Sequence, residues 1–225
     1  MTTAAEAVRE IPFYEHLTEE QKTDICNSAK IKTFNKNTEI SGLIDNCLGP
    51  FLILKGVVRA VMENKKLREI SLFKLYLKEM GVLSAACVLD WITFDVKFVA
   101  EEDCELLFIK PCMFKRVVEA NIFVKCMMYE MLADRFSSCM STLHELLFVK
   151  YETRLATFLW EKYLLTGETE FETTQDEIAR LTSTVREVTG RTIRKFVEDG
   201  IVKCERGKIV LSDVKRLKSL AREQN

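Results

Sequence analysis

Several residue types that are common in other protein classes are scarce in this chain. Its 225 residues include three prolines, eight glycines and two histidines. The low proline and glycine content, without any low-complexity stretch, argues against long disordered regions. No apolar run approaches the roughly 18 residues that cross a bilayer, so no membrane partner is expected. With 48% hydrophobic and 30% charged residues, the composition is that of a soluble globular protein.

Signals for export and for disulfides are also missing. The first ten residues are polar and carry two glutamates, unlike a signal peptide, so we expect a cytoplasmic protein. The eight cysteines include no Cys-x-x-Cys pair, which predicts no disulfide framework in that compartment. We expect most of them to be buried thiols that pack as small apolar side chains.

Positive charge is concentrated near the C-terminal end. Between Arg180 and Arg222 there are twelve basic and five acidic residues, an excess of seven positive charges, which leaves −8 for the rest of a chain of net charge −1. A basic end on an otherwise acidic protein indicates a polyanionic partner at that end. A charged run alone is more often a solvated surface, so this interpretation depends on the pattern around it.

Short apolar segments separated by glycine-containing turns fill the region from residue 31 to 109. They are Phe51–Leu54, Val57–Met62, Glu69–Leu75, Phe94–Ala100 and Leu106–Ile109. A helix over Thr18–Lys30 precedes them, with Thr18 and Gln21 as a capping box. Strands at such close spacing predict an antiparallel sandwich or roll.

Beyond Pro111 the apolar period becomes helical. A heptad spacing joins Tyr129, Leu132, Phe136, Cys139, Leu143 and Leu146, and Met140 and Leu147 widen the stripe. No glycine or proline lies between Met113 and Phe148, which predicts one helix of about 35 residues, roughly 50 Å long. A small roll cannot cover so long a helix, so we expect a parallel coiled-coil dimer. The alternative is a core helix packed wholly within one chain.

The remaining segment predicts helices, a turn and a two-stranded wing. The expected elements are a helix from Thr153 to about Leu165 ended by Gly167, a β segment at Phe171, a helix from Gln175, a turn near Ser183, a helix over Val185–Asp199 stopped by Gly200, a wing formed by Ile201–Cys204 and Lys208–Leu211, and a last helix capped by Asp213. Ala179 supplies the small residue that a helix-turn-helix needs where its helices cross.

The second helix of this motif carries candidate base-reading residues. Arg186 and Glu187 open it, and Arg191 shares a face with Glu187. Arginine can bond both O6 and N7 of guanine, and a carboxylate can accept from cytosine N4. Glu187 is also expected to pair with Arg191 at i,i+4. The candidate phosphate contacts are Thr174, Arg194 and Lys195. The alternative is an ordinary surface helix with ion pairs.

The order of roll, long helix and winged helix resembles the Crp/Fnr family of bacterial transcription regulators. The segments that carry the resemblance are Phe51–Gly56, Arg154–Ala156, Asp176–Leu181, Arg186–Arg191 and Glu198–Val202. It implies an α+β protein with an N-terminal double-stranded, jelly-roll-like β-roll (1–112), a dimerisation helix (113–148) and a C-terminal winged helix-turn-helix (149–225). In members that read a TGTGA-type half-site, the residues matching Arg186, Glu187 and Arg191 contact bases.

The resemblance also implies a homodimer that binds a palindromic site on double-stranded DNA, with RNA polymerase as a partner if the protein is an activator. The sequence departs from the family pattern in the helix-turn-helix. Ser183 replaces the usual turn glycine, and Thr182, Thr189 and Thr192 stand where aliphatic residues are commoner.

The effector pocket departs further from the family pattern. The pairs that hold the phosphate in cyclic-nucleotide-binding members fall by length on Ser84-Ala85 and Phe94-Asp95, where the Asp95 carboxylate would repel an anion. The adenine-contacting positions fall on Cys139 and Met140, which are poor hydrogen-bond partners. Cyclic AMP is therefore not expected. The predicted pocket consists of Leu83, Ser84, Ala85, Ala86 and Cys87 facing Cys139 and Met140. It indicates an apolar or weakly polar effector or a cysteine redox signal, and a sealed pocket without an effector is the alternative.

Other cofactors and functions lack the residues they need. Cys26 is isolated, whereas an iron–sulfur cluster of the oxygen-sensing type needs a tight N-terminal cysteine cluster. His16 and His144 are the only candidate histidine ligands for haem, which we do not expect. Both lie outside the strand region of residues 31–110, which argues against a metal site and a metal-dependent enzyme there. The remaining alternative is a cyclic-nucleotide-domain-like protein that acts through protein–protein contacts.

Overall fold

The computed structural model describes residues 3–40, 49–63, 69–82 and 96–222. By its internal contacts the chain divides into two units, one of residues 1–62 with 72–139 and one of residues 63–71 with 140–225. The boundary at residue 139 falls inside the helix Ile122–Phe148.

The described part of the chain before residue 121 forms a roll of antiparallel strands with helices at both ends. Its elements are α1 (Ala4–Ala7), α2 (Glu19–Ser28), β1 (Lys30–Phe34), β2 (Phe51–Lys55), β3 (Val58–Glu63), β4 (Glu69–Leu75), β5 (Met80–Gly81), β6 (Lys97–Ala100), β7 (Cys104–Phe108) and α3 (Pro111–Ala120). One sheet has the order β1-β7-β2-β5 and the other the order β4-β3-β6. The pairs β1/β7, β7/β2, β2/β5 and β3/β6 are antiparallel, which confirms the predicted roll.

Aromatic side chains fill the interior of the roll. Phe51 and Phe98 meet edge to face with ring centroids 5.2 Å apart, and Phe108 lies 5.7 Å from Phe51. All three are buried. A Cβ at Gly81 would lie 2.3 Å from the Phe51 ring, so the close approach of β5 to β2 requires glycine there. Capping of α2 by Thr18 and Gln21 is confirmed, because both hydrogen bonds of the capping box are present.

The prediction of one uninterrupted helix from Met113 to Phe148 is wrong. The chain forms α3 and then α4 (Ile122–Phe148), 27 residues long, with Asn121 extended between them. The Asn121 Oδ1 accepts hydrogen bonds from the N–H groups of Phe123 (3.1 Å) and Val124 (3.3 Å). An asparagine side chain that offers the backbone such partners favours a new helix start over continuation.

The C-terminal unit is a winged helix-turn-helix, as predicted. Its elements are α5 (Tyr151–Thr166), β8 (Glu170–Glu172), α6 (Gln175–Leu181), α7 (Arg186–Glu198), β9 (Val202–Glu205), β10 (Lys208–Leu211) and α8 (Val214–Arg222). The strands form an antiparallel sheet in the order β8-β10-β9. Its core joins Leu155, Ile178, Ile193, Phe196, Ile209 and Leu217.

The ends of these helices follow the predicted signals. Gly167 and Gly200 adopt positive φ after α5 and α7, and the Asp213 carboxylate accepts from the Arg216 N–H at 2.9 Å. Ser183 adopts φ +52 in the turn between α6 and α7, a left-handed conformation that glycine would reach with less strain.

The expectation of mostly buried thiols is wrong for the described cysteines. Only Cys104 is buried, whereas Cys112, Cys126 and Cys204 are exposed. Within the described ranges, no cluster of histidine, cysteine and carboxylate side chains is suited to a metal ion. No described helix has the length and apolar character needed to span a membrane.

Candidate nucleic-acid interface

Helix α7 presents one charged face and one buried face. Of the six residues predicted to contact DNA, five lie exposed on this helix: Arg186, Glu187, Arg191, Arg194 and Lys195. The opposite face is buried in the C-terminal core through Thr189, Gly190, Thr192, Ile193 and Phe196. The same amphipathic pattern that anchors the helix therefore leaves its basic side chains at the surface.

The sixth predicted residue, Thr174, lies at the N-terminus of α6. Its Oγ1 accepts from the Glu177 N–H at 3.1 Å, so it caps the helix. An N-cap hydroxyl in this role still has its own proton to donate, and the residue is exposed.

The ion pairs on this surface differ from the predicted one. No ion pair joins Glu187 to Arg191, both of which belong to the described part of the chain. Instead the Arg186 guanidinium contacts the Asp176 carboxylate at 3.0 Å. The first turn of α6 thus supplies an acidic partner to the first turn of α7, a proximity that depends on the tertiary fold.

A second contact links α7 to the start of α5. The Lys195 Nζ donates to Glu152 Oε1 at 2.8 Å, which raises the pKa of Lys195. The two residues, together with Lys150 and Arg191, line a depression of about 470 Å³. The sequence assigned no role to Lys150 or Glu152. The only signal for them was two charged residues just before the helix predicted from Thr153.

Two of the three threonines that depart from the family pattern, Thr182 and Thr189, have a common partner. The Tyr151 hydroxyl lies 2.8 Å from Thr189 Oγ1 and 3.0 Å from Thr182 Oγ1. Thr182 donates its own proton to the Ile178 carbonyl at 2.7 Å, so its oxygen accepts from Tyr151, whose oxygen in turn accepts from Thr189. This directed chain ties α5, α6 and α7 together. Burial raises the pKa of Tyr151, against the opposing effect of these hydrogen bonds.

Close packing brings the two helices of the motif together at Gly190. A Cβ there would lie 2.9 Å from the Gln175 Oε1. The predicted small residue, Ala179, is also buried. Gly190 thus allows α6 and α7 to cross closely.

The predicted effector pocket is only partly described. Leu83, Ser84, Ala85, Ala86 and Cys87 lie outside the described residues, as do Phe94 and Asp95. Cys139 is half-buried and Met140 is exposed. Burial raises the pKa of the Cys139 thiol despite the nearby Arg135, so the reactive thiolate is disfavoured.

One face of α4 carries exposed side chains at heptad spacing. Alternating steps of four and three residues join Ile122, Cys126, Tyr129, Ala133, Phe136, Met140, Leu143 and Leu147, all of them exposed in the single chain. We call these eight residues the α4 seam. It differs from the predicted stripe at Leu132, Cys139 and Leu146, which are half-buried.

Fold and site together define a protein with a β-roll, a long helix and a winged helix-turn-helix with a basic helix face. Residues 153–220 match the family model described as the Crp-like helix-turn-helix domain. A crystal structure of a transcriptional regulator of the Crp/Fnr family from Eubacterium rectale is 32% identical, with a TM-score of 0.89, and the match covers 96% of this chain and 100% of that one. The chain belongs to the Crp/Fnr family of transcription regulators.

More distant structures share the fold. A c-di-GMP-responsive global regulator from Xanthomonas campestris is 18% identical with a TM-score of 0.68, and a Crp/Fnr-family regulator from Thermus thermophilus is 19% identical with a TM-score of 0.62. Each match covers 87% of this chain and 100% of the other. No curated protein sequence matches the chain.

Proposed function

We propose that the protein is a sequence-specific transcription regulator that binds a palindromic site on double-stranded DNA as a homodimer. The main support for the proposal is the exposed face of α7, the second helix of the winged helix-turn-helix. This face presents Arg186, Glu187 and Arg191. In this motif the second helix enters the major groove and its first residues meet base edges. Arg194, Lys195 and Thr174 are proposed to bind phosphates.

The proposed dimer rests on the α4 seam. Eight exposed side chains at heptad spacing, mostly large and apolar, are typical of a two-stranded coiled coil and costly to leave in water. Phe136 is 67% exposed and Leu147 is 65% exposed in the single chain. A second copy of α4, parallel and in register, would bury both. Two copies would present two α7 helices to half-sites about 34 Å apart, one turn of DNA.

The regulatory input and output are proposed from the family. An effector or a redox signal acting on the roll would control DNA binding, and an activator would also contact RNA polymerase. We propose no enzymatic role, because the relatives are transcription regulators.

Selection of bound duplexes from a random DNA pool tests the proposal most broadly. We expect an enriched palindrome with two half-sites one helical turn apart, and an affinity that falls steeply with salt because phosphate contacts release counterions. Absence of any enriched sequence, with no binding to duplex DNA at low salt, would instead favour a protein that acts through protein–protein contacts.

A further inference from the structure

The depression between α5 and α7 has an unusual charge arrangement. Of its four charged lining residues, Lys150, Arg191 and Lys195 are basic and Glu152 is acidic. A concave surface with this excess of positive charge, next to a proposed base-reading arginine, suits a phosphate of the DNA backbone. Nothing in the sequence pattern of α7 alone assigns a role to the two residues from the start of α5.

Glu152 forms an ion pair with one of these basic residues, Lys195, in the free protein. Its carboxylate lies 2.8 Å from the Lys195 Nζ, and the two side chains are 43% and 54% exposed. A phosphate oxygen that approached the same ammonium would meet the carboxylate at close range, where two like charges repel. The ion pair is exposed enough to exchange partners at small cost.

We propose that Glu152 attenuates DNA binding by holding Lys195, so that a backbone phosphate must displace its carboxylate to enter the depression. The inference rests on the proposed function and adds Lys150 and Glu152 to the phosphate interface. Because phosphates are the same in every sequence, the attenuation applies equally to specific and non-specific DNA.

Glu152→Gln provides the direct test. The substitution keeps the size of the side chain and removes its charge. We expect it to raise the affinity for a random-sequence duplex and for the selected site by the same factor, about twofold to fivefold. Lys195 meets a phosphate in both proteins, so the number of counterions released, and with it the slope of log affinity against log salt, should change little.

Two further variants separate this effect from general electrostatics. Glu168→Gln makes the same change in charge just beyond the C-terminal end of α5, which lies about 21 Å along the helix from Glu152, and should leave affinity nearly unchanged. Lys195→Met should bind DNA more weakly than the unsubstituted protein. In that background Glu152→Gln should raise DNA affinity much less, because no Lys195 ammonium is left to be released from Glu152. Thermal unfolding of each variant establishes that it is folded.

The outcomes are distinct. An unchanged or weakened affinity of Glu152→Gln would overturn the inference, because it would mean that Glu152 is irrelevant or positions Lys195 for DNA. An equal gain with and without Lys195 would also overturn it. Both results leave the proposed function standing, whereas failure of the unsubstituted protein to bind any duplex would contradict the proposed function and this inference together.

Discussion

Arg186 and Arg191 lie on the same exposed face of α7 but in different surroundings. Arg186 is held by Asp176, at 3.0 Å, whereas Arg191 lines the basic depression beside Lys195. Replacing an arginine that reads a guanine removes two directed hydrogen bonds, both of them at one base pair. An arginine that meets a phosphate loses affinity on every sequence alike.

We therefore expect Arg186→Ala and Arg191→Ala each to weaken binding to the selected site by about 1–3 kcal/mol and to relax its preference at one base pair. Arg194→Ala is the control, with a similar loss on all sequences. Binding titrations against single-base variants of the site measure the difference. If Arg186→Ala and Arg191→Ala lower affinity on all sequences alike, as Arg194→Ala does, base reading by Arg186 and Arg191 is contradicted.

Tyr151 is the central hydroxyl of the chain that joins Thr189, Thr182 and the Ile178 carbonyl. Tyr151→Phe removes the hydroxyl and leaves the fully buried Thr189 side chain without its partner. We expect the free energy of unfolding to fall by about 1–3 kcal/mol, as for other unsatisfied buried polar groups. Adding Thr189→Val should recover part of the loss, because both polar groups are then absent. Urea unfolding of the single and double variants measures the coupling, and simple additivity would contradict the chain.

The raised pKa of Tyr151 gives this residue a pH signature. A folded-state pKa above the unfolded value means that the folded protein keeps its proton longer, so the contribution of Tyr151 is complete below the unfolded pKa and declines as pH rises beyond about 10. The stability difference between the unsubstituted protein and Tyr151→Phe should therefore shrink in that alkaline range. A difference that grows with pH there would be inconsistent with the buried, protonated phenol.

Asn121 determines where the longest helix begins. Its Oδ1 caps the first N–H groups of α4, and its Nδ2 donates to the His16 carbonyl at 2.7 Å and to Gln21 Oε1 at 3.1 Å. One side chain thus fixes the start of α4 and attaches it to the N-terminal helices.

Asn121→Ala should cost about 2 kcal/mol, because it removes a helix cap and leaves a carbonyl without its donor. Asn121→Asp keeps the capping oxygen but loses the donor. Its free energy of unfolding should fall between those of the unsubstituted protein and Asn121→Ala. Hydrogen exchange of the Phe123 and Val124 amides and denaturant unfolding measure the two effects separately. An alanine variant of unchanged stability would show that the break between α3 and α4 does not depend on this side chain.

The elements that sequence reasoning located were those with strong local signals. Capping residues such as Thr18 and Asp213, left-handed glycines such as Gly200, and alternating apolar strands each act through neighbours in sequence, so they can be identified without tertiary information. The break at Asn121 was missed although its capping of Phe123 and Val124 is local, because the side chain is also held by His16 and Gln21, about a hundred residues away. The Tyr151 network and the Glu152–Lys195 pair were missed for the same reason.

The α4 seam makes a specific prediction about the whole assembly at Cys126. In a parallel, in-register dimer, the two copies of Cys126 face each other across the interface, at a distance where mild oxidation can join them. Oxidised glutathione should produce a covalent dimer on a non-reducing gel, and Cys126→Ser should abolish it. Cys112, also exposed but off the seam, is the matched control, so Cys112→Ser should still cross-link. Cross-linking that depends on Cys112 would place the interface elsewhere.

We propose that two chains joined along α4 bind one duplex together. Light scattering after size exclusion gives the mass of the complex between the protein and its selected duplex, and we compare the unsubstituted protein with Phe136→Glu and Ser137→Glu. Phe136 lies in the seam, and Ser137 is exposed one residue beyond it. We predict two chains per duplex for the unsubstituted protein and Ser137→Glu, and a monomer with much weaker DNA binding for Phe136→Glu, because a carboxylate cannot be buried in the seam. One chain per duplex, or a Phe136→Glu variant that binds as a normal dimer, would rule out a DNA-binding dimer joined along α4.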